Sequence, residues 1–260
     1  MHIFEISFFG IQIAPTWYGL MYALGFWIGY LFVKKYGEIK KNDLENLLTY
    51  IFFWVILGGR IGYVILYNFW YFLEHPLQIF AVWNGGMSFH GGAIGVIISM
   101  ILFARIYKYK LFDISDPVVT ILPLALWLGR IGNYINGELL GFFPYSWPLA
   151  ITQNGISHFP STLLEAFWEW LCLLLIMMGY FFWNKHQKKK HIQSSYLYKS
   201  GFPSFLFLLG YGCFRLFAEF FRLPDIQIGY LFWTDWITLG MIYTLPIFIL
   251  AICVYRKIAK

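Results

Sequence analysis

The chain contains a series of apolar runs, each long enough to cross a lipid bilayer as a helix. A helix needs roughly 20 predominantly apolar residues to cross the hydrocarbon core. Such runs recur along the whole sequence and are separated by short polar segments. They predict one all-α membrane domain over residues 1–260, with seven transmembrane helices. The predicted spans lie at about 17–33, 47–67, 88–106, 117–136, 161–183, 202–221 and 236–255.

The composition agrees with a membrane protein. Hydrophobic residues make up 60% of the chain and charged residues only 12%, whereas soluble domains carry about 25% charged residues. The expected partner is therefore the lipid bilayer, and the net charge of +6 is not taken to indicate nucleic acid. Cys172, Cys213 and Cys253 lie in apolar runs at unrelated spacing, which argues against a disulfide framework and against a metal site. We expect no metal and no cofactor.

The positions of Lys and Arg predict the topology. Fifteen of the 19 basic residues follow spans one, three, five and seven, whereas the segments 68–87 and 137–160 contain none. The positive-inside rule assigns the basic side to the cytoplasm. The N-terminus, whose lead-in carries Glu5 and no basic residue, is then predicted to lie outside and uncleaved. The C-terminus lies inside, and 137–160 forms a small outer head. The basic stretch at 184–191 is interpreted as an orientation anchor in preference to a lipid-recognition cluster.

Three arginines remain inside predicted spans. Arg60, Arg130 and Arg215 lie in spans two, four and six, which all run outward. A charge at membrane depth costs from about 3 kcal/mol upward and usually marks function. Arg130 is about 20 Å along its helix from residue 117, at 1.5 Å per residue, so the three cations are expected in the outer half of the membrane. The alternative is structural ion pairing with the carboxylates Glu138, Glu165, Glu169 or Glu219.

The sequence around Arg130 strengthens the functional interpretation. "GGRIGYV" at 58–64 and "GRIGNYINGELLG" at 129–141 share Gly-Arg-Ile-Gly. Arg130, Asn133 and Gly137 are spaced i, i+3 and i+7, which predicts one polar helix face lining a cavity. The planar fork of arginine suits phosphate, and the phosphates found at that depth belong to phospholipid head groups.

His90 is a titratable ring at the outer mouth of span three, in "MSFHGGAIGV". An unperturbed histidine pKa near 6.5 suits general-base work at neutral pH. The adjacent Gly91 and Gly92 allow close backbone approach to a ligand. The alternative is a hydrogen-bonded interfacial anchor.

Several of these segments resemble one family. "GRIGNYINGELLG" and "HGGAIG", with "WYGLMYALGF" at 17–26, "GGRIGYVILYN" at 58–68 and "YGCFRLFAEFFRLPD" at 211–225, resemble the bacterial prolipoprotein diacylglyceryl transferases in content and order. The resemblance implies an inner-membrane transferase whose site faces the periplasmic leaflet. Such an enzyme moves the diacylglyceryl group of phosphatidylglycerol to the thiol of the lipobox cysteine in a prolipoprotein signal peptide. The products are a thioether and glycerol 1-phosphate, and this is the first step of lipoprotein maturation.

The resemblance also implies roles for individual positions. The catalytic group would contain residues from spans one, three, four and six: Tyr18, His90, Arg130, Asn133, Glu138, Arg215 and Glu219. Phosphatidylglycerol would be bound by Arg130, Arg215, Asn133, Gly91, Gly92 and Gly141. Arg60 is a candidate third clamp, although a structural role for it is slightly preferred. Glu138 and Glu219 are expected to orient the arginines.

Some segments depart from the family pattern. Tyr134 stands in place of Phe, "FFPYSWP" after Gly141 lacks polar residues, "SHFPSTLLEA" at 157–166 lacks an Arg, a Gln and a Tyr, and "LGMIYTLP" is less polar than expected. These changes leave open a divergent paralogue with a different acceptor. A transporter or flippase for an anionic phospholipid and a non-catalytic assembly factor are further alternatives. The absence of paired inverted halves opposes the transporter, and the retained polar residues oppose the assembly factor.

Overall fold

The computed structural model describes residues 6–8, 11–13, 17–146, 148–189, 196–221, 223, 229–231, 234 and 236–259. Most of these residues are helical. The helices are α1 (Trp17–Tyr36), α2 (Lys41–Leu66), α3 (Phe69–Glu74), α4 (Phe89–Tyr107), α5 (Leu111–Asn136), α6 (Ser161–Glu165), α7 (Leu173–Lys189), α8 (Phe202–Glu219) and α9 (Leu239–Ala259). A π-helix, Ala166–Cys172, joins α6 to α7 without a break.

Helices lie over all seven predicted spans. In the part of the chain that the structure describes, five helical stretches are both long and apolar enough to cross a membrane, which makes this a multi-pass membrane protein: Lys41–Leu66, Phe89–Tyr107, Leu111–Asn136, Ser161–Gln187 and Leu239–Ala259. Helices α1 and α8 are not among the five, and α8 carries the charged Arg215 and Glu219 within only 18 residues. Helices α2 and α5 each begin six residues before the predicted span, because a polar first turn can be helical without being apolar.

The chain divides into two compact units, residues 34–115 and residues 1–33 with 116–260. In the 34–115 unit, α2 and α4 pack through glycines. A Cβ added at Gly58 would lie 2.3 Å from the carbonyl oxygen of Gly91, and one added at Gly95 would lie 2.0 Å from that of Trp54. Small residues allow membrane helices to approach this closely. The α2–α4 pair is therefore joined backbone to backbone along a glycine seam formed by Gly58, Gly62, Gly91 and Gly95.

In the other unit, α5, the π-helix, α7 and α8 share an apolar core. Its buried members are Val119, Trp170, Leu173, Met177, Phe207 and Tyr211. Asp116, near the start of α5, accepts hydrogen bonds from the backbone N–H groups of Gly201 and Ser204 at 2.7 and 3.2 Å. A carboxylate at a helix N-terminus satisfies its orphan donors and complements its dipole. Asp116 thus fixes the start of α8 against α5.

The segment between α5 and α6 was predicted to be a small head. Its strands β3 (Ile151–Gln153) and β4 (Ile156–His158) form an antiparallel hairpin that pairs Ile151 with His158. The turn residues Asn154 and Gly155 both have positive φ, 52° and 77°, as a two-residue hairpin turn requires. Near the N-terminus, strand β1 (Ile6–Phe8) pairs antiparallel with strand β2 (Ile11–Ile13). Most of the predicted lead-in, including Glu5, lies outside the described residues.

Candidate active site

Two arginines and three glutamates form a buried cluster in the 1–33 and 116–260 unit. Arg130 Nε on α5 lies 2.8 Å from Glu165 Oε2 at the end of α6. Arg215 on α8 contacts all three carboxylates: Nη1 lies 3.5 Å from Glu165 Oε1 and 3.1 Å from Glu169 Oε1, and Nη2 lies 2.5 Å from Glu219 Oε2. Glu165 bridges the two guanidinium groups. The ion pairing that the sequence left open is therefore present at Arg130 and Arg215.

Local helix geometry brings these carboxylates together. Glu165 is the last residue of α6 and Glu169 lies in the π-helix, so the two carboxylates project from neighbouring turns of one continuous helical stretch. Arg215 and Glu219 are an i, i+4 pair on α8, a spacing that places side chains on the same helix face. A π-helix inside an α-helix is rare and is frequently found at functional sites.

The two arginines differ in how far they are enclosed. The Arg215 side chain is 8% exposed and forms ion pairs with three carboxylates. The Arg130 side chain is 16% exposed, and its one ion-pair partner in the part of the chain that the structure describes is Glu165. Among the described residues, Nη1 and Nη2 of Arg130 have no hydrogen-bond partner. Since Glu165 contacts Nε, the orientation of the Arg130 guanidinium group is fixed, while its terminal N–H groups remain available to bind a ligand. Such a fork matches a phosphate or carboxylate group.

Glu219 is held on its other side by the start of α9. Thr238 Oγ1 donates a hydrogen bond of 2.7 Å to Glu219 Oε1 and accepts one from the Met241 backbone N–H, as an N-cap residue does. Gly240 leaves room for the carboxylate, because a Cβ at this position would lie 2.4 Å from Glu219 Oε1. Both oxygens of Glu219 are therefore engaged, one by Arg215 and one by Thr238.

Asn133 and Glu138 contact each other at the end of α5. The backbone N–H of Glu138 donates to the Asn133 carbonyl and that of Gly137 donates to the Tyr134 carbonyl, with Gly137 at φ 68°. This pattern is a Schellman motif, which ends α5. The turn brings Glu138 back onto Asn133, whose Nδ2 donates to Glu138 Oε2 at 2.7 Å. The Glu138 carboxylate accepts from the amides of Asn133 and Asn136, and an orienting role toward the arginines stays a prediction.

Gly141 packs against the backbone that leads into α6. Its N–H donates to the Phe159 carbonyl, and a Cβ at Gly141 would lie 2.7 Å from that oxygen. His158 Nδ1 lies 3.2 Å from the Gly141 carbonyl oxygen. These contacts make Gly141 a packing residue of the segment between α5 and α6, and its binding of lipid stays a prediction.

His90 lies in the first turn of α4, in the 34–115 unit, and is partly buried. Ser88 caps this helix by accepting from the Gly91 N–H at 3.3 Å, and the rings of Phe89 and His90 meet edge to face at 5.6 Å. A Cβ at Gly91 would lie 2.2 Å from the Gly58 carbonyl oxygen. Packing against α2 is therefore enough to require glycine at position 91, and a contact of Gly91 with the lipid stays a prediction. Gly92 is less restricted, since its Cβ would meet nothing closer than 3.8 Å.

Arg60 is saturated by backbone carbonyls of the segment between α2 and α4. It donates from Nε to Ile79 at 2.8 Å, from Nη2 to Gln78 at 2.6 Å, and from Nη1 to Gly85 and Gly86 at 2.6 and 3.2 Å. Four of its five N–H groups are thus used to hold this segment. The contacts agree with the structural role preferred for Arg60, and they leave one of its N–H groups for a phosphate.

Comparisons with known proteins address the family directly. The family model described as prolipoprotein diacylglyceryl transferase matches residues 4–256. This chain belongs to the prolipoprotein diacylglyceryl transferase family. Proteins named phosphatidylglycerol–prolipoprotein diacylglyceryl transferase from Francisella tularensis subsp. tularensis (strain FSC 198) and subsp. novicida (strain U112) are each 41% identical to it over 96% of this chain and 94% of their own length. The protein of that name from subsp. mediasiatica (strain FSC147) is 40% identical over the same shares.

The structure adds residues to the family site that the sequence interpretation did not assign. Glu165 and Glu169 were considered only as structural partners, and Thr238 and Gly240 were not considered. Tyr211, one turn before Arg215 on α8, is buried, stacks on Trp170 at 5.1 Å and lies within electrostatic range of the cluster. The sequence does contain a signal for Glu165 and Glu169, because two carboxylates four residues apart are unusual in an apolar span. Tyr18 belongs to α1, and its side chain lies outside the described residues.

Proposed function

We propose that this protein transfers the diacylglyceryl group of phosphatidylglycerol to the thiol of a lipobox cysteine in a prolipoprotein. The observation that carries the proposal is the buried arginine–carboxylate cluster within the membrane helices of a member of this family. The cluster fixes a guanidinium fork at Arg130 and leaves its terminal N–H groups available. An anionic lipid head group is the ligand that such a fork suits within a membrane.

Arg130 binds the phosphate and stabilises the charge that develops on it. Attack of the thiol sulfur on the glyceryl carbon forms the C–S bond and breaks the C–O bond, so glycerol 1-phosphate leaves with added negative charge. Fixed cations in a water-poor site act most strongly on such developing charge. Arg215 supplies the second positive charge. It also helps to orient the Arg130 guanidinium group, because Glu165 contacts both arginines. A neutral diacylglycerol has no comparable leaving group, which explains the requirement for an anionic lipid.

His90 accepts or relays the proton of the attacking thiol. The thiolate is the competent nucleophile, and a free thiol with a pKa near 8.5 is mostly protonated at neutral pH. A partly buried imidazole in the first turn of α4 is a suitable base because its ordinary pKa lies near neutrality. Gly92, which meets no close neighbour in α2, remains a candidate contact for the lipid.

The enzyme works in the bacterial inner membrane with its site toward the periplasmic leaflet. The proposed topology has seven spans, the N-terminus in the periplasm, the C-terminus in the cytoplasm and residues 137–160 as a periplasmic head. The support is the placement of 15 of 19 basic residues on one side of the predicted spans, which the positive-inside rule assigns to the cytoplasm. Cysteine introduced at Ser157 in a Cys-free background should react with an impermeant reagent added from the periplasm. Labelling from the cytoplasm alone would refute this orientation.

The activity is tested with purified protein, phosphatidylglycerol vesicles and a peptide containing a lipobox cysteine. We expect the peptide to gain the mass of one diacylglyceryl group, with release of glycerol 1-phosphate in equal amount. The same peptide with Ser in place of Cys is the matched control and should gain nothing. Movement of phosphatidylglycerol between leaflets without any change in peptide mass would support the flippase alternative. Transfer to a different acceptor would support the divergent paralogue.

A further inference from the structure

The buried cluster contains more acid than base. Arg130 and Arg215 carry two positive charges, and Glu165, Glu169 and Glu219 carry up to three negative ones. Glu165 and Glu169 are 0% exposed, and Glu219 is 5% exposed. With every carboxyl ionised, the cluster would hold one uncompensated negative charge. An unpaired buried charge is unfavourable. A bound phosphate monoanion would double the net negative charge of the cluster.

The oxygen atoms of the three carboxyl groups are not equally engaged. Glu165 reaches Arg130 with one oxygen and Arg215 with the other. Glu219 contacts Arg215 through Oε2 and accepts from Thr238 through Oε1. Glu169 contacts Arg215 through Oε1 at 3.1 Å. Its Oε2, like both oxygens of Glu165 and Oε2 of Glu219, is buried without a hydrogen-bond partner among the described residues, but of these four oxygens it alone takes part in none of the ion pairs described above. Glu169 Oε2 is therefore the position where a proton can be added without displacing an arginine.

We propose that Glu169 carries a proton on Oε2 when phospholipid is bound, so that binding of the phosphate is coupled to protonation of this carboxyl. The inference rests on the proposed function, because it takes the phosphate of phosphatidylglycerol as the ligand. Protonation leaves the contact between Oε1 and Arg215 in place and forms one O–H bond with a proton from solvent. The cluster with one protonated carboxyl is neutral before the phosphate enters, and it carries a single negative charge afterwards.

The groups that face Glu169 belong to the neighbouring elements of the same unit. Arg130 faces it from α5, Glu165 from α6, and Arg215 and Tyr211 from α8. Both arginines remain protonated at any working pH, and Glu165 bridges them, so the proton is assigned to Glu169. Since the protonated form binds the phosphate more tightly, affinity should fall as the pH rises. If one proton is taken up with each lipid, the affinity for the lipid falls by at most about tenfold per pH unit.

The test measures the Kd of dihexanoyl phosphatidylglycerol for the detergent-purified enzyme between about pH 6 and pH 9.5. The phosphodiester does not titrate in this range, so a pH dependence belongs to the protein. Wild-type protein should lose affinity toward the alkaline end. Glu169→Gln, a neutral isostere that can still accept from Arg215, should show a flat profile and bind more tightly than wild type at high pH. Glu45→Gln, which changes an exposed carboxylate on α2, is the matched control and should retain the wild-type slope.

A second measurement needs no substitution. Calorimetric titration of the wild-type enzyme with the same lipid at the alkaline end, in buffers of different ionisation enthalpy, should detect uptake of about one proton per lipid. A flat wild-type profile, a sloping profile in Glu169→Gln, or binding without proton uptake would each overturn the coupling. If such a protein still transfers the diacylglyceryl group, only this inference is refuted. If no transfer occurs, the proposed function is refuted as well.

Discussion

Adjacent glycines in α4 should respond oppositely to the same substitution. A Cβ added at Gly91 would lie 2.2 Å from the Gly58 carbonyl oxygen and 2.9 Å from the Gly62 Cα. The first distance is about 1.2 Å short of ordinary van der Waals contact, which begins at 3.4 Å. Both neighbours are backbone atoms, so no side chain can rotate away. Gly91→Ala therefore has to push α2 and α4 apart.

We expect Gly91→Ala to destabilise the protein by about 1–3 kcal/mol, the usual cost of overpacking a tight contact. Gly92→Ala is the matched control. Its Cβ would meet its nearest atom, the Val55 carbonyl oxygen, at 3.8 Å. Alanine is favoured over glycine in a helix by about 0.5–1 kcal/mol, so this variant should be neutral or slightly more stable.

The assay is the free energy of unfolding of the purified protein, measured by denaturant titration in a fixed detergent for wild type and both variants. A Gly91→Ala protein as stable as wild type would refute the glycine seam as an account of this residue. Equal losses from both substitutions would refute it too, since the structure separates the two positions clearly.

Three further predictions concern residues outside the seam. His90→Gln should lower turnover by about 10²–10⁴-fold, the usual range for general-base help, while phosphatidylglycerol binding stays near wild type; normal turnover would leave His90 as an anchor only. Gly137→Ala should destabilise the protein by about 1–2 kcal/mol, because Gly137 has φ 68°; an unchanged melting temperature would contradict the Schellman motif. Thr238→Val should cost about 1–3 kcal/mol of stability by leaving Glu219 Oε1 without its donor, and thermal unfolding beside Thr238→Ser, which should retain most stability, tests this.

Much of the fold and part of the site could be predicted from the sequence. Membrane helices are dictated by local apolarity, and helices lie over each predicted span. Arg130 and Arg215 stood out because a charge inside an apolar run is costly. Their carboxylate partners depend on which helices pack together, and Glu169 also depends on a π-helix that the apolar pattern does not reveal.

Three of the predicted site residues also have local structural roles, which the sequence interpretation did not assign. Asn133 and Gly91 were given roles toward a ligand, and Glu138 a role toward the arginines, because polar residues and glycines in a membrane span suggest a site. The structure uses them for helix termination and helix packing, which demand the same residue types. A Gly-Glu pair directly after the last helical Asn of α5 was a local signal for a C-cap, and it was available in the sequence.

Three Arg→Lys variants decide whether the arginine–carboxylate cluster holds the phosphate. Lysine keeps the charge but loses the planar fork, so Arg130→Lys and Arg215→Lys should each lower phosphatidylglycerol turnover by about 10²–10³-fold. Arg60→Lys, whose parent side chain binds backbone carbonyls, should lose stability and retain most turnover per folded molecule. Turnover and lipid binding should be measured together on all three. Normal activity in the Arg130 and Arg215 variants, with an inactive but folded Arg60 variant, would contradict the account.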